Sequence, residues 1–348
     1  MDLRELLHLA VENHASDLHI TEGMPPVFRI NGELIPLNSD PLTRDDTKRM
    51  VYGILKDAQK IKFEETLELD FSLYIPGLSR FRVNVHQQKG SVEAAFRGVS
   101  LNIRSLQELG LPPIVSRLAE KTSGLVLLTG PTGTGKTTTL AAMVELINEQ
   151  RKCLIVTIED PIEYLFTNKL SIIKQREVGS DTLSFADALK HVLRQDPNVI
   201  LIGEMRDLET IATAITAAET GHLVLSTLHT PDAPQTIDRI IDVFPPHQQS
   251  QIKIQLSSCI QGIVSQQLLP RKDGNGRVVA VEVMIGTPAV KACIREQRTQ
   301  QLPTLIQTGS QYGMVSMDKS LKNLYLQGII SYEVAISKAK NLDEFKNI

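Results

Sequence analysis

The sequence predicts an α/β protein of two domains, a small α+β domain followed by a parallel α/β core with a helical C-terminal region. Three observations carry this. Up to about residue 98, short runs alternate between apolar and polar residues, the mark of half-buried antiparallel strands. From about residue 114 the runs become apolar throughout, as in Leu125-Val126-Leu127-Leu128 and Val199-Ile200-Leu201-Ile202, and alternate with helical stretches. Strands buried on both faces of a parallel sheet read this way. Past about residue 286 the pattern is mainly helical. A chain of 348 residues, 42% hydrophobic, is long enough for two separate cores.

Taken in order, residues 2–14 form an amphipathic helix with Leu3, Leu6, Leu7 and Ala10 on one face. Residues 17–20 and 27–30 are short strands, and Asn31-Gly32 before Glu33-Leu34-Ile35 is a two-residue hairpin signal. A helix is expected over 42–60, capped by Thr43 with Asp46 three residues on. Residues 69–74, 80–85 and 91–97 alternate as strands of one sheet, so 1–98 is expected as one domain. A linker over 99–113 ends in Leu109-Gly110-Leu111-Pro112-Pro113. The second domain, 114–348, begins its strands at 125–129 and continues with a helix over 136–149. Further strands are expected at 153–158, 199–202 and 223–226.

The sharpest motif is Gly130-Pro131-Thr132-Gly133-Thr134-Gly135-Lys136-Thr137, followed by Thr138. It matches G-x-x-x-x-G-K-[ST] in full, between a strand and a helix. Glycines let backbone N–H groups converge on phosphate oxygens at a helix N-terminus. Lys136 reaches the β- and γ-phosphates of ATP, and the Thr137 hydroxyl is a candidate ligand of Mg²⁺. A second signal is the strand 199–202 running into Gly203-Glu204, which sets a carboxylate near Mg²⁺, directly or through water. A third is Thr157-Ile158-Glu159-Asp160-Pro161-Ile162-Glu163, where three carboxylates crowd a strand end. One of them is a candidate general base for activating water, and spacing does not choose among them. A fourth is Gly221-His222 and Thr227-Leu228-His229 at the two ends of one apolar strand. An imidazole at the C-terminal end can contact a γ-phosphate and report its loss; for His222 a structural and a functional role are both open. Finally Arg80, Arg82 and Arg97 lie on strands of the small domain, and cations serve developing charge in phosphoryl transfer.

Composition narrows the function classes. Net charge is −3 and the pI about 6.3, with 4% aromatic residues, which speaks against a protein that tracks along nucleic acid. The three cysteines, Cys153, Cys259 and Cys293, form no C-x-x-C pair, so buried thiols in a reducing cytoplasm are expected. Residues 1–7, Met-Asp-Leu-Arg-Glu-Leu-Leu, lack the apolar core of a signal peptide, and no apolar run approaches a membrane span. A soluble protein that meets a membrane only through partners is expected.

The four segments, in this order and spacing, resemble the secretion-superfamily ATPases of type II secretion and type IV pili. There they are the Walker A motif, an acidic box, a Walker B strand ending in Glu, and a histidine box. Ala15-Ser16-Asp17-Leu18-His19-Ile20, Arg29-Ile30-Asn31-Gly32-Glu33-Leu34, Arg239-Ile240-Ile241-Asp242-Val243-Phe244-Pro245 and Gln267-Leu268-Leu269-Pro270-Arg271 extend the likeness over the whole chain. The resemblance implies a PAS-like N-terminal domain and a RecA-like ATPase domain. It implies Glu163 as the base, Glu204 as the acid near Mg²⁺, and His222 and His229 as groups coupling nucleotide state to domain position. It also implies a homo-hexamer in which Arg80, Arg82 or Arg97 of one subunit reaches the nucleotide of the next. The retraction-motor branch fits best, because a tetracysteine insertion is missing. Ala289-Val290-Lys291-Ala292-Cys293-Ile294-Arg295-Glu296 also resembles its A-I-R-N-L-I-R-E motif, departing at Val290, Lys291, Ala292 and Cys293. That branch implies a cytoplasmic motor, peripheral at the inner membrane, that retracts type IV pili through a membrane platform protein. An accessory retraction ATPase is either a partner or an alternative identity. A nucleic-acid translocase and a nucleotide-binding scaffold without turnover are the rival classes.

Overall fold

The computed structural model describes residues 2–30, 32–99 and 102–345. It divides into two compact units, one of Met1–Asn102 with Pro161–Leu165, the other of Ile103–Asp160 with Phe166–Ile348.

The first unit runs α1 (Leu3–Glu12), β1 (Asp17–Ile20), β2 (Val27–Ile30), β3 (Glu33–Pro36), α2 (Arg44–Tyr52), α3 (Asp57–Thr66), β4 (Glu68–Ile75), β5 (Ser79–Gln88) and β6 (Ser91–Gly98). Its six strands form an antiparallel sheet in the order β3-β2-β1-β6-β5-β4. α1 buries the expected face, Leu3, Leu6, Leu7 and Ala10. Those residues join Leu18, Phe28, Val83, Val85 and Phe96 in one core. The pairing of Ile30 with Glu33 leaves a two-residue turn, with Gly32 at φ +91°; Asn31 lies outside the described residues. The helix expected over 42–60 is two helices. Thr43 caps α2 and exchanges hydrogen bonds with Asp46 as expected. The chain then stops at Gly53, a poor helix former, and turns Leu55 into the core before Lys56 starts α3 in extended conformation. β3 exposes all four of its side chains, Glu33 at one end and Pro36 at the other.

The second unit runs α4 (Pro113–Ala119), β7 (Gly124–Thr129), α5 (Lys136–Gln150), β8 (Leu154–Glu159), β9 (Ile172–Glu177), α6 (Phe185–Val192), β10 (Val199–Ile202), α7 (Leu208–Glu219), β11 (Leu223–Leu228), α8 (Ala233–Asp242), α9 (Pro246–Cys259), β12 (Ile260–Pro270), β13 (Arg277–Ile285), α10 (Pro288–Arg295), α11 (Leu302–Thr308), α12 (Met317–Leu326) and α13 (Tyr332–Lys338). The seven strands lie in the order β13-β12-β7-β11-β10-β8-β9, parallel except for β13, which runs antiparallel to β12. Leu125 and Leu127 face one layer of helices, while Val126 and Leu128 face the other, so both faces of the sheet are buried. Three strands, β9, β12 and β13, extend a sheet of which the sequence predicts the central members. The stretch before α4 packs more than a linker would, with Leu106 and Leu111 buried in the second unit's core.

Both edges of this sheet are modified. On β9, Ile172 and Lys174 are exposed. On β13, Val283 exchanges backbone hydrogen bonds with Val315. Beyond β12–β13 the helices hold a small core of their own, Leu269, Ala280, Met317, Leu321, Ile330, Ala335 and Phe345. Three buried carboxylates sit beside it. Asp232 meets the Lys340 ammonium at 2.5 Å, Asp318 accepts from the backbone N–H of Lys340 and Asn341, and Glu282 accepts from Ala233 N–H. Burial pushes the Glu282 carboxyl above the ordinary glutamate range. Among the described residues no helix is long and apolar enough to cross a membrane.

Candidate nucleotide site

Strand order decides what meets at the site. β12, β7, β11, β10 and β8 are consecutive neighbours and mutually parallel, so their C-terminal ends form one edge. That edge carries the P-loop after β7, His229 after β11, Glu204 after β10 and Glu159-Asp160 at the end of β8. Strands stand about 4.8 Å apart, so β7 and β10 are separated by roughly 10 Å, with the end of β11 between them.

The P-loop is built by its glycines. Gly130 has φ +135°, Gly133 +80° and Gly135 +86°, conformations open to glycine and costly to other residues. At Gly130 space matters as well: a Cβ would stand 2.4 Å from the Gln266 carbonyl oxygen on β12. Gly135 is the N-cap of α5, so the loop delivers the chain into the helix with its first N–H groups turned to the loop. Lys136 is buried, and its Nζ donates to the carbonyl oxygens of Gly130 at 2.7 Å and Pro131 at 3.0 Å. Thr134 closes the loop by donating to Pro131 O at 2.9 Å. Pro131, Thr132 and Gly133 are exposed at its rim, and Thr137 and Thr138 are half-buried on the first turn of α5.

Glu204 is held by an arginine and a histidine. Arg206 Nη2 lies 2.8 Å from Oε2, and His229 Nε2 lies 3.2 Å from Oε1. Burial pushes its carboxyl up, but the hydrogen bond from Arg206 and the charges of His229 and Arg206 outweigh this and hold it below the ordinary glutamate range. The loop that carries it is fastened to β11: Thr227 Oγ1 donates to Gly203 O at 2.7 Å, and Met205 N–H donates to Thr227 O at 3.2 Å. Thr227 sits at this edge as the sequence indicates, and its role in fixing the acid loop is visible only in three dimensions.

The other predicted residues are distributed differently. His222 precedes β11 and therefore lies at the opposite edge of the sheet from His229, roughly 20 Å away along the strand. Its Nδ1 is 2.9 Å from Ala217 O, and its carbonyl accepts from Gly124 N–H at the start of β7. Within the chain His222 thus stands apart from the P-loop. Of the three clustered carboxylates, Glu159 is buried and accepts from Thr157 Oγ1 at 2.6 Å and Gln175 Nε2 at 3.3 Å. Asp160 and Glu163 are exposed, and Glu163 belongs to the Pro161–Leu165 stretch grouped with the first unit. In that unit Arg97 is ion-paired with Asp17 at 2.8 Å, and Arg80 Nε donates to Ser72 Oγ. Arg82 is exposed and pairs across the sheet with Ser72 and Arg97 in register. His19, two strands away on β1, has a buried Nε2, and burial lowers its pKa. Cys259 and Cys293 are buried free thiols as expected, Cys259 pushed up to about 12 by burial, whereas Cys153 is only half-buried. The departures in 289–296 leave α10 packed, because its buried positions are Val290, Cys293 and Ile294, all apolar in character.

Residues 2–333 match the model of the type II/IV secretion system protein family. The chain belongs to that family. Among curated members, it is 47% identical over 345 residues to the type IV pilus retraction ATPase PilT of Pseudomonas aeruginosa, covering 99% of this chain and 100% of that one. It is 42% identical to the type IV pilus ATPase PilU of the same organism, covering 99% and 91%. Among solved structures, that of the pilus retraction motor PilT with bound ADP superposes with a TM-score of 0.93 over the whole of both chains, at 47% identity. This family member thus shares its α+β unit and its α/β unit alike with a nucleotide-bound relative.

Proposed function

We propose that this chain is a Mg²⁺-dependent ATPase that works as a homo-hexameric motor of type IV pilus retraction. It would act on the cytoplasmic side of the inner membrane, through a membrane platform protein and without binding nucleic acid itself. The observation that carries the reading is the P-loop of β7 flanked by β11 and β12, with the Glu204–His229 pair at the adjoining strand ends. Full-length likeness to a relative named as a retraction ATPase supports the biological role. The proposed division of labour is an N-terminal domain over 1–98 and an ATPase domain over 114–348, joined by a linker over 99–113 whose Leu106 and Leu111 pack into the second unit's core.

In this reading the phosphates take the Lys136 ammonium from the carbonyls of Gly130 and Pro131, and the N–H groups of 133–138 surround them. Thr137 would ligate Mg²⁺. Glu204 would face the metal through water, since its two oxygens already meet Arg206 and His229. Glu163 removes the proton of the attacking water. His229, bonded to Glu204, registers loss of the γ-phosphate. His222 couples nucleotide state to the rest of the molecule from the far edge of the sheet. Arg82, whose guanidinium is committed to neither Asp17 nor Ser72, is the best placed of Arg80, Arg82 and Arg97 to act on a neighbouring subunit's nucleotide.

Complementation tests the reading. In a cell lacking its own retraction ATPase, expression of this chain should restore pilus retraction, and Lys136→Ala should abolish it. The accessory role has its own support in the likeness to PilU. It would show as rescue only of a cell lacking that accessory ATPase. Rescue in neither cell, with turnover intact in the purified protein, would refute the retraction role and leave an ATPase of another secretion machine.

A further inference from the structure

β12 runs directly behind the P-loop, and its contacts there are more specific than strand pairing requires. Ser265 lies in register with Thr129, whose Oγ1 donates to Ser265 Oγ at 2.8 Å. The backbone oxygen of Gln266 abuts Gly130, and Leu268 would touch a Cβ on Gly135 at 3.6 Å. Gln266 itself is 2% exposed. Its Nε2 donates to Thr139 Oγ1 at 2.9 Å. The backbone N–H of Thr139 in turn donates to Gly135 O at 3.0 Å, closing the first turn of α5. The other end of the amide, Oε1, is buried and has no hydrogen-bond partner among the described residues.

A buried amide bonded at one end is a poor choice if packing is its only task. Methionine would fill similar space without leaving an acceptor open. Nor would Thr139 suffer, because a threonine hydroxyl inside a helix can bond the carbonyl one turn back. The chain thus carries a polar side chain where stability alone favours an apolar one, on the turn that holds Lys136 and Thr137.

We propose that Gln266 is a positioning residue for the nucleotide site. Through Thr139 it fixes the first turn of α5 against β12, and so sets Lys136 and Thr137 where the phosphates need them. It touches no nucleotide. The inference rests on the nucleotide reading of the site and adds the element that sets its geometry. Because β12 continues through Leu269 into the C-terminal core, the same bond ties the P-loop to the C-terminal helices.

The test is calorimetric binding of Mg-ADP to the full chain, with thermal melting alongside. The variants are Gln266→Met, Thr139→Val, Thr139→Ser and the double Gln266→Met/Thr139→Val. Loss of one neutral hydrogen bond should weaken binding about fivefold in each of Gln266→Met and Thr139→Val. The double variant should bind no more weakly than either single one. Thr139→Ser keeps the hydroxyl and should bind like the wild type, and Gln266→Met should melt at or above the wild-type temperature. Unchanged affinity in Gln266→Met overturns the proposal whatever its melting temperature, and additive losses in the double variant do the same. If affinity and melting temperature fall together, the double variant decides: coupling upholds the role and additivity ends it. Failure of the wild-type chain to bind Mg-ADP is a different result, which refutes the nucleotide reading itself.

Discussion

Replacing Gly130 with alanine is the sharpest small change the site offers, one methyl group at the first residue of the P-loop. Two effects add. At φ +135° an L-residue is strained by about 1–3 kcal/mol. The new Cβ would stand 2.4 Å from the Gln266 carbonyl oxygen, a backbone atom, where real Cβ atoms essentially never come within 3.0 Å. Relief requires β7 or β12 to move, and both are locked by their ladder and by the Thr129–Ser265 hydroxyl bond. Overpacking of this kind costs about 1–3 kcal/mol. A total of about 2–6 kcal/mol corresponds to roughly 30-fold to 10⁴ in affinity if the loop absorbs it, or to an equal loss of fold stability if the sheet does. Calorimetric titration with Mg-ADP and thermal melting, run on the same sample, capture both routes. Gly276→Ala is the control: that glycine also has positive φ, at +82°, but nothing lies within 4 Å of its Cβ position. It should lose a little stability and no affinity. Gly130→Ala binding Mg-ADP within about threefold of wild type, with an unshifted melting temperature, would refute the steric reasoning outright.

Four further outcomes are expected. Glu163→Gln should lower ATP turnover by about 10²–10⁴ while Mg-ADP still binds, and near-normal turnover removes Glu163 as the base. His229→Ala should impair turnover through loss of its bond to Glu204, whereas His222→Ala should leave Mg-ADP affinity within about twofold; the reverse pattern would exchange their roles. Glu204 has a folded-state pKa below its ordinary 4.5, so its pairing stabilises the fold above that pH and is lost as pH falls through the folded value. Melting of Glu204→Gln should lack that part of the acid decline, and an identical acid limb in both proteins would contradict the pairing. Lys340→Met should cost about 1–2 kcal/mol in urea unfolding, less than a fully buried pair because the lysine is half-exposed, and no shift in midpoint would count against the contact.

Much of the site was legible because its chemistry is local. The P-loop is one contiguous segment, and Glu204 and His229 each end an apolar strand, so periodicity alone sets them on the sheet's C-terminal edge. The same reasoning separates His222 from His229, since residues at the two ends of a strand face opposite edges. α1 was readable from Leu3, Leu6, Leu7 and Ala10 for the same reason. The wall behind the P-loop was not. β12 buries Ser265 and Gln266 in the middle of an apolar sheet, and polar residues at those positions break the pattern that marks a buried strand. β9 is charged and half-exposed, as an edge strand can be, and gives no alternation to follow. Valine-rich β13 carries a plainer strand signal, but nothing local says that it pairs antiparallel on the far side of β12. The break at Gly53 depended on Leu55 finding the core, a tertiary fact.

The guarded edges of the two sheets bear on how copies of this chain meet. An open strand edge is sticky by default, since its unpaired N–H and C=O groups accept any extended segment. Here β3 sets Glu33 and Pro36 at its two ends, β9 turns Lys174 outward, and β13 exchanges backbone hydrogen bonds with Val315 at Val283. Continuous backbone ladders between copies are discouraged at each of these borders. Association at these three borders would then run through side chains, whose contacts form and dissolve piecemeal, without the cooperative zipper that makes fibres hard to take apart.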